Sequence, residues 1–145
     1  MGLKYQTMIG AIGAAIAAIF GGWDAGLITL VTFMAIDFIM GLVCAGVFKQ
    51  SKKTKGGGLE SRPCFKGLCR KSAMLGFVLI GYRLDVLVGT NYIRDAIIIG
   101  FCANELLSIT ENAGLMGVPL PPAVTAAVEV LKHSADVSSE AGRQA

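Results

Sequence analysis

The chain has 145 residues, of which 54% are hydrophobic and 16% charged, and it carries a net charge of +3. This composition is unlike that of an ordinary soluble domain and favours a small all-α integral membrane protein. Eight of the thirteen Lys and Arg residues fall between positions 49 and 71. The positive charge is therefore local, and we do not expect nucleic-acid binding.

The N-terminal part of the chain predicts two membrane crossings. A helix needs about 20 mostly apolar residues to span a bilayer. Residues 5–23 supply the first crossing, with Trp23 at the outer interface, and residues 27–48 supply the second. The first segment is short and rich in Gly and Ala, so a cleaved signal peptide is the alternative.

A basic loop over residues 49–71 follows the second crossing. Short loops this basic stay on the cytoplasmic side of the membrane, where anionic head groups attract them. The flexible glycines at 56–58 mark this segment as a connection rather than a phosphate-binding loop. Its basic residues, which set topology and lipid contact, are Lys49, Lys52, Lys53, Lys55, Arg62, Lys66, Arg70 and Lys71.

The remaining crossings are predicted at 72–88 and 92–109, joined by a tight external turn at 89–91. Four crossings form two hairpins in a single membrane domain over 1–133 and leave both termini in the cytoplasm. Residues 122–133 predict a short amphipathic helix that lies on the inner leaflet or the bundle, or docks another protein. The polar tail 134–145 is expected to be disordered.

Ionisable residues occur at membrane depth, where a carboxylate costs about 2.5 to 3.5 kcal/mol and needs a partner or water. Asp37 and Arg83 stand equally far from the cytoplasmic ends of their predicted crossings, which predicts a pair within or between protomers. Asp85 and Arg94 are equidistant from the external turn and are expected to face each other. Asp95 is left for water or a neighbour.

The fourth crossing has a small and polar face that predicts a packing seam. Its members recur at every fourth position, and Glu105 lies near the cytoplasmic end of the same helix. The face consists of Ala96, Gly100, Asn104 and Ser108.

Small residues also line the first two crossings and allow close helix approach, either within the chain or between copies. They are Gly10, Ala14, Ala18 and Gly22 in the first crossing, and Gly41 and Ala45 in the second.

Two interpretations of the intramembrane charges stay open. They form satisfied pairs in a static bundle or lie at the external interface, or they border water in an assembled pore. No catalytic arrangement is expected, because the single histidine, His133, lacks an evident partner. The four cysteines lack the additional ligands of a zinc site, so we expect neither metal nor cofactor.

Two segments resemble a phage holin family that includes the holin-like proteins encoded beside clostridial toxins. The first is residues 52–59, with Phe65, Lys66, Gly67, Leu68 and Lys71 behind it. The second is similar to the family's fourth helix and the turn after it: Arg94, residues 103–109, residues 111–114, Gly117, Val118, Pro119 and Pro121. The resemblance spans about residues 37–131, includes Asp85, and departs from the family at Cys64, Cys69 and Arg83.

The resemblance implies a homo-oligomer in the host cytoplasmic membrane whose lesions release an endolysin to the cell wall. The endolysin is then a functional partner without required contact, and an antiholin is a possible antagonist. A holin-like facilitator of toxin export, a small ion channel or transporter subunit, and an inert scaffold or holin inhibitor are the alternatives.

Overall fold

A computed structural model describes residues 2–130 and 133 of the chain. This part contains five helices and no strand, which confirms the all-α class. The helices are α1 (Gly2–Ile19), α2 (Ala25–Gly46), α3 (Ser61–Val88), α4 (Ile93–Leu115) and α5 over residues 122–130. The tail 134–145 and two positions near the end of the predicted amphipathic helix lie outside the described residues.

Both predicted turns are present, and each has a local chemical cause. The carboxylate of Asp24 caps α2 by accepting a hydrogen bond from the Leu27 amide at 2.9 Å. Gly89 ends α3 in the left-handed region with a φ of 78°, which glycine adopts without the steric cost of a Cβ atom. The chain therefore reverses where its sequence predicts.

The loop between α2 and α3 is shorter than the predicted loop over residues 49–71, because α3 begins at Ser61 rather than near residue 72. Pro63 lies in the first turn of the helix, where a missing backbone N–H leaves no hydrogen bond unmade. Between Pro63 and Lys71 the sequence contains no further proline, and its one glycine, Gly67, is tolerated within a helix. Half of the predicted basic residues therefore lie on a helix: Arg62, Lys66, Arg70 and Lys71.

The packed unit is formed by α2, α3 and α4 rather than by two hairpins. α4 lies between the other two and contacts both, whereas α2 and α3 barely touch each other. α1 is mostly exposed along its length and approaches the bundle at its C-terminal end, near Tyr82. The predicted hairpin of the first two crossings is thus a connection in sequence without extensive helix packing.

The apolar core joins the three packed helices. It consists of six buried side chains: Leu27, Leu30 and Met34 of α2, Met74 and Val78 of α3, and Ile98 of α4. Large apolar side chains also cover much of the outer surface, including Ile39, Phe77 and Ile99. A bundle with apolar side chains both inside and outside is typical of a membrane environment.

Among the described residues, one helix, Ala25–Gly46, is long and apolar enough to span a membrane by composition. α3 and α4 carry ionisable residues within their apolar stretches, such as Asp85 and Glu105, which lower their hydropathy. Four crossings therefore stay a prediction.

Candidate functional site

Polar side chains meet inside the bundle on the side of the basic loop. Lys71 Nζ donates hydrogen bonds to Asp37 Oδ2, at 2.9 Å, and to the carboxylate of Glu105. Asn112 Nδ2 donates to the other Asp37 oxygen at 3.1 Å. These four residues, the loop-side cluster, join all three packed helices and hold two carboxyl groups against one ammonium.

Helix geometry explains why the cluster forms. Asp37 lies nine residues before the end of α2, Lys71 ten residues after the start of α3, and Glu105 ten residues before the end of α4. At a rise of about 1.5 Å per residue, each position is roughly 15 Å along its helix from the loop-side end. Asp37 and Glu105 are each buried, at 5% and 4% exposure, so the cluster replaces water with internal partners.

A second polar group, the turn-side cluster, lies at the opposite end of the core. Asp85 accepts hydrogen bonds from the amides of Ile93 and Arg94 at 3.0 and 2.8 Å and from the Thr90 hydroxyl at 2.6 Å. The last turn of α3 thus caps the start of α4. The carboxylate also complements the positive end of the α4 dipole.

The Arg94 side chain completes the turn-side cluster by binding the α1–α2 connection. Its Nη1 atom lies 2.5 Å from Asp24 Oδ2 and 3.2 Å from Asp95 Oδ1, and its other nitrogens donate to the carbonyls of Phe20 and Gly22. This hydrogen bonding holds the pKa of the Asp24 carboxyl below its ordinary value of 3.8. Arg94 is therefore a main attachment of α1 to the bundle.

The apolar core lies between the two clusters. Along α2 the order is Asp24, then Leu27, Leu30 and Met34, then Asp37. Val78 and Met74 of α3 and Ile98 of α4 fill the same interval from their own helices. A close-packed apolar layer of this kind leaves no continuous polar route along the bundle.

A cleft of about 660 Å³ extends from the loop-side cluster to the basic loop. Asp37, Lys71 and Glu105 line its deep end, whereas Asn104, Ser108 and Glu111 of α4 line one wall. Arg62, Lys66 and Arg70 follow each other at every fourth position of α3 and line the opposite wall, and Lys53 and Lys55 contribute from the loop. The cleft thus has a mixed polar and apolar lining, in which six basic residues outnumber four acidic ones.

The predicted charge partners are only partly correct. Arg83 is exposed on α3, and Asp37 instead binds Lys71, so the predicted pair is wrong within a single chain. Asp85 and Arg94 do meet, but through the Arg94 amide, because the guanidinium reaches past Asp85 to Asp24. Asp95 lies at the surface, with its side chain 60% exposed.

The predicted packing residues divide into two groups. Gly41 and Ala45 lie inside the bundle, where Gly41 faces the amide of Asn112. The buried stripe of α4 is Arg94, Ile98 and Glu105 rather than the predicted seam, whose Ala96 and Gly100 are exposed and whose Asn104 and Ser108 line the cleft. Exposed or half-buried positions are Gly10, Ala14, Ala18, Gly22, Ala96, Gly100, Asn104 and Ser108.

Three residues of the clusters are not predicted from the sequence to bind a charged partner. The sequence pattern places Lys71 in the basic loop and Asp24 in a turn, and Asn112 is named only within the family resemblance. A helix begun at Ser61 would have placed Lys71 three turns inside the bundle and identified it as the partner of Asp37.

No group of three or more His, Cys, Asp or Glu side chains suited to a metal ion occurs in the described part of the chain. Its four cysteines are all free thiols.

Comparison with known proteins identifies the family of the chain. Residues 14–133 match the bacteriophage holin family. An uncharacterized protein of Listeria monocytogenes is 38% identical over 132 residues, covering 90% of this chain and 82% of its own length. An uncharacterized 14.9 kDa protein of Clostridium perfringens is 32% identical, covering 85% and 89%.

A phage protein is also among the relatives. A probable holin of Bacillus phage phi105 is 32% identical over 111 residues, which covers 76% of each chain. No solved structure gives a significant match. Because the family match covers most of the sequence, including all residues of both polar clusters, the chain belongs to the bacteriophage holin family.

Proposed function

We propose that this protein is a holin that assembles in the host cytoplasmic membrane and opens lesions through which an endolysin reaches the cell wall. Family membership is the observation that carries the proposal. The family is not a family of enzymes, and assembly rather than catalysis is the proposed activity.

The sealed core of the single chain supports a requirement for assembly. The apolar layer separates the loop-side cluster from the turn-side cluster, so one copy holds no polar path between the two ends of the bundle. A lesion then needs several copies whose polar surfaces face one another. The exposed Ala96 and Gly100 of α4 suit contact between copies, because small residues let helices approach closely.

The proposed topology has four crossings, with the basic loop and both termini in the cytoplasm. The positive-inside rule supports this orientation, because eight basic residues lie in the short segment 49–71, between the apolar part of α2 and that of α3. A reporter enzyme that is active only in the cytoplasm should be active when fused to the C-terminus. Proteolysis near Lys53 from outside intact spheroplasts would contradict the topology.

Induced expression in a bacterium, with and without a cytoplasmic endolysin that lacks its own export signal, tests the function. We expect the membrane potential to collapse after a delay and the cells to lyse only when the endolysin is present. Depolarisation without passage of the folded enzyme would instead indicate a selective channel or transporter subunit. Absence of both effects would contradict the proposal.

A further inference from the structure

We propose that the cleft at the loop side of the bundle binds the phosphate diester head group of an anionic phospholipid. This inference requires insertion of the chain in a membrane, but it does not require lysis. It assigns a defined ligand site to basic residues whose role in the proposed function is limited to fixing the orientation of the chain.

The first argument is the spacing of the basic side chains. Arg62, Lys66 and Arg70 lie at every fourth position of α3, so they share one face of the helix, and all three line the cleft. Lys53 and Lys55 approach the same cleft from the loop. Five cations thus surround one opening instead of being spread over the surface.

The second argument is that these cations have no internal partner. The ion pairs within the described residues involve Lys71 and Arg94 as the basic members, and none includes the five cations of the cleft wall. Glu60 and Glu111 are the acidic residues that line the cleft apart from the loop-side cluster. The wall therefore keeps an excess of positive charge.

An unpaired hydroxyl provides a third argument. Thr54 lines the cleft, and its Oγ1 atom is buried without a hydrogen-bond partner in the described part of the structure. A buried hydroxyl without a partner destabilises the fold. A phosphate oxygen in the cleft would accept this hydrogen bond as well as those of the surrounding cations.

The remaining lining and the position of the cleft favour a lipid over a free anion. Phe38, Leu42 and Leu59 line the cleft beside the charged residues, which gives the glycerol and upper acyl region an apolar contact. The exposed Phe65 and Leu68 lie on α3 outside the cleft lining and offer further apolar contact to a lipid bound there. Basic pockets between helices on the cytoplasmic side are suited to anionic head groups.

The test compares lipid retention by the full-length protein and two double variants with equal loss of charge. Protein reconstituted in phosphatidylcholine vesicles containing phosphatidylglycerol is extracted in mild detergent and weighed by native mass spectrometry. K66Q/R70Q removes two cations of the cleft wall. K49Q/K52Q removes two loop cations that do not line the cleft.

We expect the unmodified chain and K49Q/K52Q to retain one phosphatidylglycerol per chain, and K66Q/R70Q to retain it at least about tenfold less. Retention of phosphatidylcholine should be unchanged in all three. K66R/R70K should restore binding, because both positions again carry positive charge. Circular dichroism checks that each variant keeps its helix content.

Three results would overturn the site. An equal loss of phosphatidylglycerol in both double variants would mean that overall charge attracts the lipid. Undiminished retention in K66Q/R70Q would show that the cleft does not bind it. Displacement of the lipid by inorganic phosphate at equal concentration would assign the site to a free anion. Endolysin-dependent lysis, measured separately on the same variants, distinguishes failure of this inference from failure of the proposed holin function.

Discussion

Lys71 Nζ lies 2.9 Å from Asp37 Oδ2 and so joins α3 to α2, two helices that otherwise barely touch each other. The same ammonium binds Glu105 of α4. One basic side chain therefore holds together the loop-side ends of all three packed helices.

Removal of that ammonium should strongly destabilise the bundle. Lys71→Gln leaves the carboxyl groups of Asp37 and Glu105 buried without their common partner, and breaking a buried ion pair from one side costs about 3 to 5 kcal/mol. The measurement is the free energy of unfolding in detergent. Lys52→Gln, in the exposed loop, is the control and should change it by less than about 0.5 kcal/mol. Adding Glu105→Gln to Lys71→Gln should restore part of the loss, and equal effects of the two lysine variants would contradict the role of the cluster.

Asp37 and Arg83 should behave as independent residues within one chain. Asp37→Asn removes a partner of Lys71 and should change both bundle stability and the time at which lysis begins. Arg83→Gln should leave stability unchanged, because the side chain is exposed. If Arg83→Gln nevertheless shifts the lysis time, a pair between protomers gains support. An unchanged lysis time in Asp37→Asn would indicate that the Asp37 charge stabilises the bundle but has no role in assembly.

Gly81 should tolerate no side chain, because α3 and α4 approach closely at this position. A Cβ atom there would lie 2.6 Å from Ile97 Cδ1 and 3.1 Å from the Arg94 Cα atom. Gly81→Ala should therefore destabilise the bundle by about 1 to 3 kcal/mol through overpacking. Gly76→Ala is the matched control on the same helix, where a Cβ atom meets open space. Thermal unfolding in detergent compares them, and a loss in Gly76→Ala as large as that in Gly81→Ala would argue against close packing.

The capping role of Asp85 should be visible in local hydrogen exchange. Asp85→Ala removes the acceptor of the Ile93 and Arg94 amides, so both should exchange faster with solvent, together with the first turn of α4. Asp95→Ala serves as the comparison, since its carboxylate is largely exposed and accepts from the Arg94 side chain only. Unchanged exchange at residues 93 and 94 in Asp85→Ala would show that the cap is dispensable.

Asp24 should make the attachment of α1 sensitive to acid. Its pKa is held below 3.8 by the Arg94 guanidinium, so the ionised form is favoured in the folded chain. The resulting stabilisation is fully present above this ordinary value and is lost as the pH falls through the lowered pKa. Fluorescence of Trp23, next to Asp24, should report the change as the pH is lowered below 3.8. Asp24→Asn should remove that transition, and an identical transition in the variant would assign it to another group.

The sequence was sufficient for the elements whose signals are local. Asp24 and Gly89 carry the chemistry of a helix cap and a helix end, and the predicted turns lie at these residues. Apolar length alone located α2 to within about two residues at each end.

Partner choice depended on information that is not local. The charge of residues 61–71 indicated a loop, but charge does not prevent a helix, and the later predicted start of α3 moved Lys71 out of the bundle. With that later start, Arg83 rather than Lys71 lies at the same predicted depth as Asp37, which led to the wrong partner. On α4, the predicted seam of small residues at every fourth position is not the buried stripe, because this spacing does not distinguish a face that meets the same chain from one that meets another copy.

The separation of α1 from the packed helices has a consequence for how this protein can vary. The family match begins at residue 14, and the turns of α1 before it lie far from the Arg94 attachment. Insertions, fusions or substitutions in these first turns of α1 should leave the three-helix unit intact while changing the surface that one copy exposes to another. Changes there should therefore alter the contacts between copies without a penalty in folding.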